Sequence, residues 1–202
     1  MQYNKKLLNK IKIIGGKYKG KLINFDCLDN SELNTSLRPT SNRARETLFN
    51  WLMFDIQNTC CLDLFAGSGA LSFEALSRGA KNITLIENSK SIYDSLIKTQ
   101  KSFPKEINKI KILKKDSIDY IYRNHVSCAY DIIFIDPPFG LINKDFINSL
   151  FIRLQNNSFL NNKTLIYLES DQNLDNIILE NNIEIIKSKK IGSVYIYLCR
   201  IK

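Results

Sequence analysis

A chain of 202 residues, 44% hydrophobic and 24% charged, suits one domain of ordinary size with a small appendage and can bury a sizeable core. It holds no run of the roughly 18–20 consecutive apolar residues needed for a membrane span, and its Lys-rich opening MQYNKKLLNK lacks the apolar stretch of a secretory signal. A cytosolic protein with no membrane partner is expected. The net charge of +9 has two readings, a coding bias toward lysine and a polyanionic partner.

The distribution of charge favours the partner. Residues 1–24 carry Lys5, Lys6, Lys10, Lys12, Lys17, Lys19 and Lys21 with no acid, and Arg38, Arg43 and Arg45 follow. Lys17, Lys19, Lys21 and the three arginines are therefore expected to contact phosphate. Within this region IKII (11–14) and KLINF (21–25) are strand-like runs around GGKYKG, whose glycines suit a hairpin turn. Residues 26–37 are polar and irregular. Arg38-Pro39-Thr40-Ser41 then supplies a proline stop and an N-cap, Thr40 or Ser41, for a helix over about 42–54. Ala44, Leu48, Trp51 and Leu52 recur on it at helical spacing. The expected organisation is an extension and connector over 1–41 and a main domain over 42–202.

From residue 60 the rhythm changes. CLDLF (61–65), ITLIE (83–87), KIKIL (109–113), YDIIFID (130–136), TLIYLES (164–170), IEIIK (183–187) and VYIYLCR (194–200) are seven β-like runs. The first five are separated by longer segments, Ala70–Arg78 and Ser91–Lys101 among them, with helical spacing, which predicts a parallel sheet covered on both faces. The last two are joined only by SKKIGS (188–193), too short for a helical crossover, so they pair antiparallel at one edge. The five cysteines are odd in number and form no C-x-x-C pair, and His125 is the only histidine. No metal is expected; Cys60 and Cys61 read as small buried residues.

The loop Leu62-Asp63-Leu64-Phe65-Ala66-Gly67-Ser68-Gly69-Ala70 runs from a buried strand into a helix. Gly67 and Gly69 let the backbone turn tightly against a ligand. A dinucleotide enzyme would carry a third glycine where Ser72 stands. Asp63 at the strand end would repel phosphate and suits a cationic, amino-bearing ligand, which favours S-adenosyl-L-methionine over a nicotinamide cofactor. Glu87 ends the next strand, where an acid can bind ribose hydroxyls, and Asp116 with Ser117 follows the third, on the adenine side. Asp136-Pro137-Pro138-Phe139 follows the apolar run YDIIFI. Two prolines cannot continue a strand, but they make a stiff loop at the sheet's carboxyl edge. There a carboxylate and a backbone carbonyl can accept the two hydrogens of an exocyclic base amine, with Phe139 as a stacking face.

IIGGKYKGKLI, RPTSNRARETLFNWL, LDLFAGSGALSFEALSRGA and IDPPF together resemble the RsmD family across the whole chain. The resemblance implies a class I S-adenosylmethionine-dependent methyltransferase fold, Rossmann-like, with an N-terminal β-hairpin extension. It implies methylation of a guanine N2 in 16S rRNA, within a 30S subunit or assembly intermediate, by a monomer. It carries the cofactor loop onto Asp63, Gly67 and Gly69, the ribose acid onto Glu87, the adenine-side acid onto Asp116 and the catalytic loop onto Asp136 to Phe139. Arg38 and Arg43 would lie near substrate or cofactor, and Glu46 in an internal ion pair. Three rivals remain: a DNA adenine-N6 or cytosine-N4 methyltransferase, a non-catalytic RNA-binding assembly factor, and a nicotinamide oxidoreductase.

Overall fold

The computed structural model describes residues 8–26, 41–138 and 140–202. Lys5, Lys6, Arg38, Pro39, Thr40 and Phe139, singled out above, lie outside the described residues. β1 (Leu8–Lys12) and β2 (Leu22–Asp26) pair antiparallel, with Ile11 opposite Ile23. The period-2 alternation turns Ile11, Ile23 and Phe25 inward and leaves Lys10, Lys12 and Asn24 exposed. α1 (Asn42–Trp51) is capped by Ser41, whose hydroxyl accepts from the Ala44 N–H at 3.1 Å.

Alternating buried strands and helices then build the main layer. In chain order these are β3 (Cys60–Asp63), α2 (Ala70–Ser77), β4 (Asn82–Glu87), α3 (Lys90–Lys101), β5 (Ile110–Lys114), α4 (Ser117–Arg123), β6 (Ile132–Ile135), α5 (Lys144–Asn156), β7 (Leu165–Ser170), α6 (Asp175–Glu180), β8 (Ile183–Ile191) and β9 (Val194–Ile201). The strands lie in the order β5-β4-β3-β6-β7-β9-β8; β3 to β7 are parallel, and β9 runs antiparallel to both β7 and β8. All four residues of β6 are buried, as a strand covered on both faces requires. The chain enters at β3, winds out to β5 and returns to β6 on the other side of β3. The carboxyl ends of β3 and β6 are thus the topological switch point, where open α/β sheets bind ligands. One apolar cluster joins α1, α2 and α3 to one face through Phe49, Phe73 and Leu96. A second joins α4, α5 and α6 to the other through Ile121, Phe151 and Ile178.

The connector expected at 188–193 is mostly strand. β8 continues to Ile191 and leaves Gly192-Ser193 as the turn. Its polar sequence reflects an edge position, where exposed lysines such as Lys187, Lys189 and Lys190 are compatible with β pairing and discourage edge-to-edge association. No helix among the described residues is long and apolar enough to cross a membrane.

The hairpin is fastened to α2. Glu74, fully buried, accepts from the Ile14 and Gly15 N–H groups at 2.7 and 2.8 Å and from Arg78 Nε at 2.7 Å. The Lys17 N–H donates to the Ser77 carbonyl at 2.7 Å. Gly16 has φ +75°, and a Cβ there would lie 2.0 Å from that same carbonyl oxygen, so only glycine allows the approach. Removing a buried carboxylate from three donors leaves them uncompensated. Glu74→Ala is expected to destabilise the fold by about 3–5 kcal/mol, read as a lower denaturant midpoint at an unchanged m-value.

Candidate active site

The site begins where β3 ends. Asp63 is 2% exposed. Its Oδ2 accepts from the Ser72 hydroxyl at 2.7 Å, and its Oδ1 is buried with no hydrogen-bond donor. Burial, reinforced by the nearby charge of Asp136 and opposed by the Ser72 bond, pushes this carboxyl up to about 7. Ser72 thus has a function that its reading as a missing glycine did not reveal.

The loop after Asp63 turns through Gly67 (φ +50°) and Gly69 (φ +76°), the latter capping α2. A Cβ on Gly69 would meet Phe73 at 2.6 Å and Leu96 at 2.8 Å. Phe65 is half-buried against Phe146, and the Ala66 N–H donates to the Ile86 carbonyl at 3.0 Å. Glu87, at the end of β4, clasps the loop: its carboxylate accepts from the Gly67 N–H at 3.0 Å and the Ser89 N–H at 2.7 Å. Desolvation raises its pKa against those bonds. Asp116 caps α4 by accepting from the Asp119 N–H at 2.9 Å, and the buried Ser117 hydroxyl donates to the Leu64 carbonyl. Asp63, the glycine loop, Glu87 and Asp116 with Ser117 therefore meet along the carboxyl edges of β3, β4 and β5.

Asp136 follows β6, half-buried, with Pro137 buried and Pro138 exposed. The Pro138 carbonyl accepts from the Leu141 N–H at 3.3 Å, closing a turn after the prolines. β3 and β6 pair with Asp63 opposite Phe134. Phe134 belongs to the same face as Tyr167, its register partner on β7. The alternation carries Asp136 to that face as well, one residue beyond the paired Ile135 and Leu168. Glu169 occupies the matching place on β7. It is 5% exposed and accepts from the Tyr167 hydroxyl at 2.6 Å. Sequence reasoning missed Glu169, although an acid closing an apolar strand is the signal that picked out Asp63 and Glu87.

The basic residues divide differently from expectation. Arg45 is 1% exposed, which removes it from any nucleic-acid surface. It lies on the same helical stripe as Leu48, Phe49 and Leu52, and its guanidinium donates to Asn42 Oδ1 at 2.6 Å and to the Lys12 carbonyl at 3.3 Å. Glu46 is exposed, and no ion pair joins it to a lysine or arginine among the described residues. Lys17 pairs with Glu106 at 2.6 Å, and Lys21 donates to the Ser102 carbonyl at 2.8 Å while lying over Phe103. The turn holding Lys17, Lys19 and Lys21 sits at the carboxyl end of α2, away from the glycine loop at its amino end. Lys10, Lys12 and Arg43 are exposed. Among the described residues no group of His, Cys, Asp or Glu could hold a metal ion.

Strand order, the switch point and the acids at the ends of β3, β4 and β6 make this a class I methyltransferase fold. A family profile described as "Conserved hypothetical protein 95" matches residues 11–200. The chain belongs to this family, that of the RsmD proteins. It is 38% identical over 195 residues to ribosomal RNA small subunit methyltransferase D of Buchnera aphidicola from Acyrthosiphon pisum, covering 95% of this chain and 94% of that one. It is 36% identical over 184 residues to the protein of that name in Haemophilus influenzae, covering 91% and 90%. The solved structure of yhhF from Escherichia coli superposes with a TM-score of 0.80 at 33% identity, over 96% of this chain and 99% of that one.

Asp63 sets a pH dependence of stability. Its folded-state pKa near 7 exceeds the ordinary 3.8, so between those values the folded protein holds a proton that the unfolded chain has lost. The contribution is fully present below pH 4 and lost as pH rises through 7. In Asp63→Asn the downward slope of unfolding free energy between pH 4 and pH 7 is expected to flatten, as measured by denaturant titrations across that range.

Proposed function

We propose that the protein transfers a methyl group from S-adenosyl-L-methionine to the exocyclic N2 amine of a guanine in 16S rRNA, acting as a monomer on a 30S subunit or assembly intermediate in the cytoplasm. One observation carries the reading: a buried carboxylate oxygen without a donor, Asp63 Oδ1, on the strand beside the one that ends in Asp136. A buried acceptor left unpaired costs about 1–3 kcal/mol, which a cationic amino group would relieve. The relatives' shared name supports ribosomal RNA as the substrate class.

The residues fit this cofactor. Asp63 would take its amino group and the backbone of Phe65, Ala66, Gly67 and Gly69 would line its path. Glu87 would hold the ribose hydroxyls: a carboxylate offers about four lone-pair sites, so it can keep its backbone amides and still accept from a ligand. The Asp116 oxygen outside the α4 cap would receive the adenine amine beside Ser117. When bound, the cofactor supplies a methyl group on a positively charged sulfur.

The chain's own residues then prepare the nucleophile. An exocyclic guanine amine is a weak nucleophile because its lone pair is delocalised into the ring. The Asp136 carboxylate and the Pro137 carbonyl accept its two hydrogens, favour a tetrahedral nitrogen and aim the lone pair. Pro137 and Pro138 hold both acceptors on a stiff loop, so little reorganisation accompanies reaction. Phe139 stacks on the extruded base. RNA phosphates are met by Lys10, Lys12 and Arg43, which Arg45 gathers by tying the Lys12 carbonyl to the first turn of α1. Lys19, Lys17 and Lys21 would add charge on the hairpin turn, and Arg38, outside the described residues, stays a candidate contact on its sequence alone.

Asp136→Ala is expected to lower turnover about 100-fold or more while leaving cofactor affinity within about twofold, with tritiated cofactor, small-subunit rRNA and nucleoside digestion as the assay. Label on a nucleoside other than N2-methylguanosine would overturn the target, and full activity the role of Asp136. Replacing Lys10, Lys12 and Arg43 with Gln is expected to weaken RNA binding and reduce the slope of log K against log salt by about 2–3. An unchanged slope would place the phosphate contacts elsewhere.

A further inference from the structure

Asp136 has a carboxyl neighbour on each side, and only one of them has a place in the reading above. Glu169 closes β7 as Asp136 closes β6, in matching register and on the same face of the sheet. It is almost fully buried, where an acid rarely sits without a purpose served by its surroundings. Tyr167, completely buried two residues earlier, spends its hydroxyl on it at 2.6 Å and packs edge-on against Phe134, the residue facing Asp63 in β3. The contacts that fix Glu169 therefore belong to the same strands that present Asp63 and Asp136. No ion pair joins Glu169 to a lysine or arginine among the described residues.

We propose that Glu169 is a positioning residue, a neutral carboxyl held by Tyr167 that keeps the Asp136 carboxylate charged and directed at the amine. This rests on the methyltransferase reading. Among the described residues, the groups acting on Glu169 are Tyr167 on its own strand and Asp136 at the end of β6. On the other side β9 places the apolar Ile196 opposite it, and α1 contributes the apolar Phe49 beside Phe134. Two carboxyls so placed do not both ionise readily; one keeps a proton. Glu169 is the more buried of the two, and burial together with the charge of Asp136 pushes it up to about 8. At neutral pH the proton stays on Glu169 and the charge on Asp136, where the amine's hydrogens need an acceptor. Above that pH Glu169 loses its proton and a second charge appears beside Asp136.

The test compares Glu169→Gln, Glu169→Ala and Tyr167→Phe by single-turnover methyl transfer from pH 6 to 9.5, with cofactor affinity and melting temperature measured alongside. Glutamine imitates the neutral acid, so Glu169→Gln is expected to keep turnover within about threefold at pH 7 and to lose the alkaline decline centred near 8. Glu169→Ala is expected to lose tenfold or more in kcat at an unchanged KM for the cofactor, with Tyr167→Phe between the two. A folded Glu169→Ala protein with wild-type kcat and pH profile overturns the proposal, as does Glu169→Gln falling as far as alanine. Infrared difference spectra read the same group without activity: the protonated-carboxyl band present at pH 7 should vanish in Glu169→Gln, and its midpoint should drop in Asp136→Asn. An unmoved midpoint overturns the coupling. Failure of the wild-type protein to label small-subunit rRNA would instead sink the methyltransferase reading, with the infrared result standing apart from it.

Discussion

Asp63, Asp136 and Glu169 close three neighbouring parallel strands and share one face of the sheet. The strand ends at the switch point open on a crevice, while the side chains just behind them are sealed in the core. A carboxyl placed there is largely stripped of water yet within reach of a ligand. Three such groups cannot all carry charge unless cations or protons accompany them. Burial raises Asp63 to about 7 and Glu169 to about 8, which is how the protein without a ligand supplies the protons. A cationic ligand at Asp63 supplies the alternative. The class of ligand is thus limited by electrostatics before any shape is considered.

Helix α2 links this edge to the rest of the molecule, and its two ends treat a buried acid in opposite ways. Near its start Asp63 accepts from the Ser72 hydroxyl and keeps one buried oxygen without a partner. In its second half Glu74 is saturated by two backbone amides and Arg78. The saturated acid is a fastening; the unsaturated one keeps an acceptor for a donor from outside the fold. All eight residues of α2 are buried, which a helix on the surface of a sheet would not allow. The hairpin of β1 and β2 provides its outer cover, so the extension completes the layer around the glycine loop.

Much of this was legible in the sequence, because the signals were local. Seven apolar runs, the acids that close them, the proline pair and the Ser41 cap each depend on a few consecutive residues. What escaped was decided by partners distant in the chain. Arg45 reads as one of a basic cluster, but the stripe of Leu48, Phe49 and Leu52 carries it inside, where the Lys12 carbonyl and Asn42 receive it. Lys17 and Lys21 look like free phosphate contacts until Glu106 and the Ser102 carbonyl, more than eighty residues away, occupy them. Glu169 went unnoticed because nothing in TLIYLES shows that β7 lies next to the strand ending in Asp136. Strand adjacency is a property of topology, and the order β6-β7-β9 is invisible in any one segment.

The same reasoning weighs a sulfonium ligand against a dinucleotide, both of which glycine loops can serve. A dinucleotide site works by turning loop amides toward a pyrophosphate at a helix N-terminus. Here the Gly67 amide is directed at Glu87 and the Gly69 amide at the Ala66 carbonyl, so the glycines spend their donors inside the loop. Ser72, where the third glycine would stand, directs its hydroxyl at Asp63 and keeps that carboxylate oriented. Glycine in its place would remove the hydroxyl donor from a buried acid, and an approaching phosphate would meet poorly compensated negative charge. The substitution that breaks the dinucleotide pattern is therefore what orients Asp63, and the loop's electrostatics favour a ligand that brings positive charge over a phosphate.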